Sequence, residues 1–249
     1  MLENKCIIIT GASRGIGAAA ARLFASHGAT VIVSARQHSS LAPIVEGISA
    51  AGGKAVAVDG DITEEQTSAR LVETALSVTG RLDGAFNNAA ILGETCSLHT
   101  ITNESWHETI ATNLTAAFYA AKHQVPAMQA NGGGAIVFTS SFVGHCTGIQ
   151  GMGAYAALKA GLVGLTRVLA AENGRDGIRV NALLSGGTDT DMAPQGPEAR
   201  SWVNGLHALG RMAQPEEIAQ AAAFLLSEQA SFVTGTAFLA DGGNTSFKA

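Results

Sequence analysis

The chain has few charges, few aromatic residues and few cysteines for its 249 residues. Charged residues make up 14% and aromatic residues 5% of it. The three cysteines, Cys6, Cys96 and Cys146, are scattered and form no C-x-x-C pair. This pattern disfavours a disulfide framework or a structural zinc site, and we expect reduced thiols. The formal net charge of −5 disfavours a nucleic acid or an anionic membrane as the main partner.

Long hydrophobic runs are missing as well. No apolar run in the sequence approaches the roughly 20 residues of a membrane span. The N-terminal run CIII follows Glu3 and is too short for the apolar region of a signal peptide. No ligand spacing suggests a metal site. We therefore expect a cytoplasmic protein without a resident metal.

Short apolar runs rich in β-branched residues alternate with segments of helical spacing. The predicted strands are CIIIT, ATVIVS, KAVAV, LDGAF, AIVFTS, IRVNALL and TAFLA, and the predicted helices cover 16–27, 63–78, 104–129, 154–172 and 216–227. Thr63 and Pro215 are start signals for two of these helices. The alternation predicts an α/β fold with a doubly wound parallel sheet of about seven strands, in one domain over 1–249.

A glycine-rich turn follows the first predicted strand and opens the first predicted helix. It reads TGASRGIG over residues 10–17, with glycines at 11, 15 and 17. Such a turn lets the backbone approach a pyrophosphate closely, and the start of the helix supplies free N–H groups for the anion. We expect a dinucleotide cofactor here.

The glycine spacing and the later motifs together resemble the classical short-chain dehydrogenase/reductase family, whose turn reads TGxxxGxG. The matching segments follow in order: DGDIT, NNAA, ATNLTAAF, SSFVG, YAALK, GRMAQPEEIAQAAAFL and TGTAFLADGG. They cover essentially the whole chain. The resemblance implies a Rossmann-type sheet, a nicotinamide cofactor and redox chemistry between carbonyl and alcohol. It divides the domain into a cofactor half of about 1–90 and a catalytic and substrate half of about 91–249.

The resemblance also implies roles for individual residues. Tyr155 is the expected acid/base, Lys159 binds the nicotinamide ribose and lowers the tyrosine pKa, Ser141 bonds the substrate carbonyl, and Asn113 holds a water for proton relay. Ser141 is preferred to Ser140 because it lies three residues before Gly144. The expected cofactor-binding residues are Gly11, Ser13, Arg14, Gly15, Ile16, Gly17, Arg36, Asp61, Ile62, Asn88, Ala89, Ala90, Tyr155, Lys159, Ser185, Gly186, Thr188 and Thr190.

Charge near the second strand predicts which nicotinamide cofactor binds. An NAD enzyme carries an acid at the end of this strand for the ribose 2′-hydroxyl. Here that position is Ala35, followed by Arg36, and Arg14 lies inside the phosphate turn. Two arginines without an opposing acid suit a 2′-phosphate, so we expect NADP(H).

Tyr155 and Lys159 stand four residues apart in a predicted helix and so share one face. A free phenol has a pKa of about 10. An ammonium about 4 Å away favours the phenolate by roughly 4 kcal/mol, or about three pKa units, at an effective dielectric of about 20. With Lys159 expected to be partly solvated, this is an upper value. The pair alone also fits an exposed helical pair of no consequence; the other motifs favour the reactive pair.

Two positions depart from the family pattern. Ala90 stands where the family has glycine, and Ser185 stands where it has proline before Gly186. Serine leaves φ unrestricted, so we expect the entry of the substrate loop, at about 186–210, to be more mobile. The stretch 186–200 of this loop is the expected lid over the substrate.

The expected substrate residues are mixed apolar with few polar groups. They are Ser141, Phe142, Val143, Gln150, Tyr155, Met192 and Trp202, with His145 and His207 as further wall residues that are expected at the surface. This set suits a neutral ketone or secondary alcohol. The resemblance implies a homotetramer.

Two other functions stay open. A reductase of 3-oxoacyl groups on acyl carrier protein would want a basic rim, but the loop has Arg200 against Asp189, Asp191 and Glu198. A non-catalytic NADP(H)-binding regulator would not need the Ser-Tyr-Lys-Asn set.

Overall fold

The computed structural model describes residues 1–246, and the last three residues of the expected domain lie outside that range. Its centre is a parallel sheet of seven strands in the order β3-β2-β1-β4-β5-β6-β7. The strands are β1 (Cys6–Thr10), β2 (Thr30–Ala35), β3 (Lys54–Asp59), β4 (Gly84–Asn87), β5 (Gly134–Ser141), β6 (Ile178–Ser185) and β7 (Ala237–Ala240). The predicted doubly wound α/β fold is confirmed.

Helices cover both faces of the sheet. They are α1 (Gly15–Ser26), α2 (Ala42–Ala50), α3 (Glu65–Thr79), α4 (Asn103–Ile110), α5 (Ala116–Ala130), α6 (Gly153–Asn173), α7 (Pro197–Gly205) and α8 (Pro215–Leu226). Alternate residues of one strand enter different cores because a strand has a period of two. Ile7 and Ile9 join the core under α1, α2 and α8, whereas Ile8 joins the core under α3, α5 and α6.

The structure tests the two helix starts that were predicted from the sequence, at Thr63 and Pro215. The start at Pro215 is confirmed: Gln214 and Glu217 form a reciprocal capping box there. The start at Thr63 is wrong, because α3 begins at Glu65. The Thr63 hydroxyl instead donates to the Asp61 carboxylate at 2.7 Å, in a turn at the rim of the sheet.

The predicted helix over 104–129 is interrupted. A π-turn at Ala111–Thr115 separates α4 from α5, and Asn113 lies inside it. Two shorter helices, α2 and α7, had not been predicted, and α7 lies within the expected loop at 186–210.

Helix α6 is long and apolar enough to cross a membrane by length and composition, contrary to the expectation from the sequence. It packs on the sheet, however, with Leu162 and Ala170 in the core beside Ile136 and Ile178. This helix carries Tyr155 and Lys159 to the edge of the sheet where the strands end.

Candidate active site

A cavity of about 830 Å³ opens at the carboxyl ends of the strands. It extends from the β1–α1 turn past the end of β2 to the ends of β5 and β6, and α7 forms part of its outer wall. Connections from β1 and β4 run to opposite sides here, so this is the crevice where an open parallel sheet binds ligands.

The β1–α1 turn has the backbone that its glycines allow. Gly11 and Gly15 have φ values of +68° and +54°, which residues other than glycine rarely adopt. A Cβ on Gly11 would lie 2.9 Å from the Ala89 Cα, and one on Gly17 would clash with the Gly11 carbonyl oxygen. Among residues 1–246 no side chain caps α1, so its first N–H groups stay free for an anion. This turn fits a dinucleotide pyrophosphate.

Hydrogen bonds join the ends of β1, β4 and β5. The Thr10 hydroxyl accepts from the N–H groups of Asn88 and Ala89 at 3.0 and 3.1 Å. The Thr139 hydroxyl donates to the Asn88 side-chain oxygen at 3.2 Å. These bonds fix the floor of the cavity.

The end of β2 carries no acid toward the cavity. Ala35 and Arg36 line it, with Asp61 and Ile62 opposite. Arg14 also lines it, and its guanidinium lies 3.2 Å from the Asp191 carboxylate. Both groups of this pair are about two-thirds exposed, so the pair is weak and can be exchanged for another anion.

The cavity gathers nearly all of the residues expected to bind cofactor and substrate. Three of them do not line it: Gly17, which packs α1 against the turn, and the two further wall residues His145 and His207. The sequence reasoning missed several apolar or small lining residues that carry no motif, among them Leu92, Thr95, Ile149, Met152, Val203 and Leu206.

The two candidate serines have different surroundings. Ser141, the last residue of β5, lines the cavity, and its Oγ accepts the N–H of Val143 at 3.1 Å. Ser140 is fully buried, and its hydroxyl donates to the Lys159 carbonyl at 2.8 Å. Only Ser141 is available to a ligand.

Tyr155 and Lys159 share one face of α6, as their spacing predicts. The Lys159 Nζ lies 5.3 Å from the centre of the tyrosine ring and donates to the Thr139 carbonyl at 2.6 Å. The expectation that Lys159 is partly solvated is wrong, because the residue is only 2% exposed.

This burial reverses the expected pKa of the tyrosine. Without a ligand, desolvation raises the pKa of Tyr155 to about 12, and the nearby Ser141 hydroxyl offsets only part of the rise. Desolvation also lowers the pKa of Lys159 to about 7. Burial therefore disfavours the charged form of both groups, and Lys159 becomes the group that titrates near neutral pH.

Asn113 lies behind the main cavity rather than in it. Its side-chain N–H groups donate to the carbonyls of Ile91 and Thr109, both at 3.0 Å, and its oxygen accepts from the Ile91 N–H at 3.3 Å. Asn113 and Lys159 line a second cavity of about 20 Å³, which has room for about one water. The side chain itself is thus occupied with the backbone.

The two histidines are not cavity walls. His145 is exposed and does not line the cavity. His207 was expected at the surface but is only 3% exposed, and it lies behind the wall.

The turn after β6 is held by backbone hydrogen bonds. The Gly186 N–H donates to the Ala240 carbonyl at 3.0 Å, and the Gly187 carbonyl accepts from the Ala213 N–H at 2.9 Å.

Within the described part of the chain, no group of three or more His, Cys, Asp or Glu residues could hold a metal ion. The polar groups that reach the main cavity are hydroxyls, amides and a few charged side chains, of which Arg14 and Asp191 form an ion pair. The arrangement suits proton exchange with a ligand oxygen beside a bound dinucleotide.

Comparison with known proteins agrees with this geometry. Residues 11–245 match a family model described as enoyl-(acyl carrier protein) reductase. The chain is 44% identical to a cyclohexanol dehydrogenase from Acinetobacter sp. (strain SE19), over 98% of this chain and 96% of that protein. It is 41% identical to a 2,5-dichloro-2,5-cyclohexadiene-1,4-diol dehydrogenase from Sphingobium indicum, over 98% of each chain. A solved short-chain type dehydrogenase/reductase from Mycobacterium ulcerans superposes with a TM-score of 0.94 at 30% identity, covering 100% of this chain and 92% of that one.

Proposed function

The chain belongs to the classical short-chain dehydrogenase/reductase family, and it is an oxidoreductase of that family. On this premise we propose that it interconverts a secondary alcohol on a six-membered carbon ring and the corresponding ketone, with NADP(H). One observation carries the proposal: Ser141 and Tyr155 reach the same cavity at the end of β5, with the buried Lys159 on the same helical face as the tyrosine.

When bound, the nicotinamide supplies or accepts the hydride. Every other task falls to the chain. Ser141 donates a hydrogen bond to the substrate oxygen, and Tyr155 exchanges a proton with it. Lys159, whose pKa is lowered to about 7, takes up a proton near neutral pH. The protonated ammonium then favours the phenolate and brings the tyrosine into the range of acid/base work.

The cavity behind Lys159 supports a proton path. Its size suits one water between Lys159 and the π-turn at Asn113. Because the Asn113 side chain is fully bonded to Ile91 and Thr109, we assign it to holding that turn in shape. A π-turn at such a site is a common functional irregularity in helices.

The preference for NADP(H) rests on charge. Arg36 and Arg14 line the cavity at the end of β2, where Ala35 supplies no acid. A 2′-phosphate can replace the Asp191 carboxylate as the partner of Arg14. A ribose 2′-hydroxyl would supply no anion to either arginine.

The relatives and the cavity walls support the proposal of a ring substrate. Both relatives named above are dehydrogenases of alcohols on a six-carbon ring. The walls at this end are largely aliphatic and aromatic, including Leu92, Phe142, Ile149, Trp202 and Leu206. Such walls suit a small uncharged ring.

A reductase of 3-oxoacyl groups on acyl carrier protein is the second candidate, and the description of the matching family model, enoyl-(acyl carrier protein) reductase, names the same carrier. An acidic carrier would need basic residues at the cavity mouth. Arg200 is paired with Asp189 at 2.8 Å, and Asp191 holds Arg14. A non-catalytic regulator is the third, and the Ser141, Tyr155 and Lys159 set argues against it.

We further propose a cytoplasmic homotetramer. Large apolar side chains are exposed on α5 and α6 and around β7, including Phe118, Val168, Phe232 and Leu239. Faces of this kind are usually covered by another copy of the chain.

The test is a panel of substrates with the purified protein. NADP⁺ reduction is followed with cyclohexanol, an acyclic secondary alcohol and a 3-hydroxyacyl thioester. We expect the highest kcat/KM for cyclohexanol and a clear preference for NADP⁺ over NAD⁺. Higher activity with the thioester would favour the acyl-carrier function, and cofactor binding without turnover of any compound would favour the regulator.

A further inference from the structure

His207 is a buried residue with both ring nitrogens in use. Its Nε2 accepts the N–H of Gly187 at 2.9 Å. Its Nδ1 lies 2.8 Å from the Val203 carbonyl. A backbone N–H only donates and a carbonyl only accepts, so the ring must be neutral and carry its hydrogen on Nδ1.

The His207 ring packs directly against the backbone of two glycines. A Cβ on Gly186 would lie 2.9 Å from the His207 Nε2, and one on Gly187 would lie 3.0 Å from its Cε1. On another side the ring meets Phe142 edge to face, with ring centres 6.4 Å apart. Two consecutive glycines therefore make room for this imidazole at the turn that follows β6.

Three walls of the main cavity meet at His207. Gly187 belongs to the turn 185–188, which we call the nicotinamide turn; Val203 belongs to α7; and Phe142 follows Ser141. His207 itself does not line the cavity. It touches the back of the walls rather than the ligand.

We propose that His207 is a positioning residue that ties the nicotinamide turn to α7. Backbone bonds to Ala240 and Ala213 hold this turn to β7 and to the chain before α8, and the bond from the Gly187 N–H to His207 adds a link between the turn and α7. The Gly187 bond sets the cofactor side of the site, and the Val203 bond sets the substrate side. This inference rests on the proposed function for its kinetic part only.

Two substitutions separate the two bonds. In His207→Gln the side-chain oxygen can stand in for Nε2 and accept from Gly187. In His207→Asn the amide N–H can stand in for Nδ1 and donate to Val203. A buried backbone group that loses its hydrogen-bond partner costs enough free energy to change an affinity by about tenfold. His145→Gln, an exposed histidine outside the cavity wall, is the control.

The measurements are the NADP(H) Kd by fluorescence titration and the alcohol KM at saturating cofactor. For His207→Gln we expect a Kd within twofold of the wild type and a KM about tenfold higher. For His207→Asn we expect a Kd about tenfold weaker and a KM within twofold. A general loss of structure would raise both parameters together in both variants, and that result, or no change in either variant, would overturn the proposal.

A second measurement needs no variant. Long-range ¹H–¹⁵N spectra of the histidines in the wild-type protein at pH 7.5 report the tautomer of His207. The His207 signals are those that are missing from the spectrum of His207→Gln or His207→Asn. We expect hydrogen on Nδ1 and none on Nε2; hydrogen on Nε2 would refute the proposal. This measurement and the Kd titration do not depend on turnover, so they still decide the role of His207 if the wild type oxidises no ring alcohol.

Discussion

Replacing Lys159 by methionine should remove a pH dependence from the stability of the cofactor-free protein. Burial lowers the pKa of Lys159 from 10.5 to about 7. Between these values the unfolded chain holds a proton that the folded chain has lost, so the free energy of unfolding rises with pH. From pH 7 to pH 9 this single group contributes about 2 kcal/mol to that rise. Methionine keeps the apolar stem and does not titrate.

The assay is urea unfolding without cofactor at one protein concentration, at pH 7, 8 and 9. We expect the free energy of unfolding of the wild type, minus that of Lys159→Met, to increase by about 2 kcal/mol from pH 7 to pH 9. Lys122→Met is the control, because Lys122 is half exposed and should show no such trend. A difference between wild type and Lys159→Met that stays constant with pH would mean that the buried lysine keeps its charge, and it would refute the lowered pKa of Lys159.

Three further predictions concern the cofactor, the substrate and the assembly. Ala35→Asp should lower kcat/KM with NADPH by at least about tenfold and leave that with NADH nearly unchanged, because a carboxylate repels the 2′-phosphate; equal losses with both cofactors would contradict the assignment. Trp202→Ala should raise the KM for cyclohexanol severalfold without changing the cofactor Kd, since the indole lines the substrate end of the cavity; a changed Kd and an unchanged KM would contradict this. Sedimentation equilibrium at micromolar concentration should give four times the 25.3 kDa chain mass; a monomeric mass would refute the tetramer.

The sequence predicts the frame of the molecule well because its signals are local. A strand buried on both faces reads as a continuous apolar run, as in CIIIT of β1. The glycines of the phosphate turn are visible because Gly11 and Gly15 need positive φ. The i, i+4 spacing of Tyr155 and Lys159 is likewise a local property of the helix.

The features that the sequence misses depend on tertiary packing. The charge state of Lys159 depends on how deeply α6 packs against β5, which no local pattern reports. His207 looks like a loop residue because its partners, Gly187 and Val203, come together only in the folded chain. Helix α7 is hidden by the glycines and prolines before it, although Gly196 and Pro197 mark its start.

The central claim is that Tyr155 exchanges a proton with a ring alcohol or ketone, and Tyr155→Phe tests it most directly. Phenylalanine keeps the ring and removes only the hydroxyl. With cyclohexanol and NADP⁺ we expect kcat to fall by at least about 100-fold, the scale of a general acid/base, while the NADP(H) Kd and the Tm stay close to those of the wild type. Turnover within a few fold of the wild type, with the fold and the cofactor Kd intact, would contradict the account.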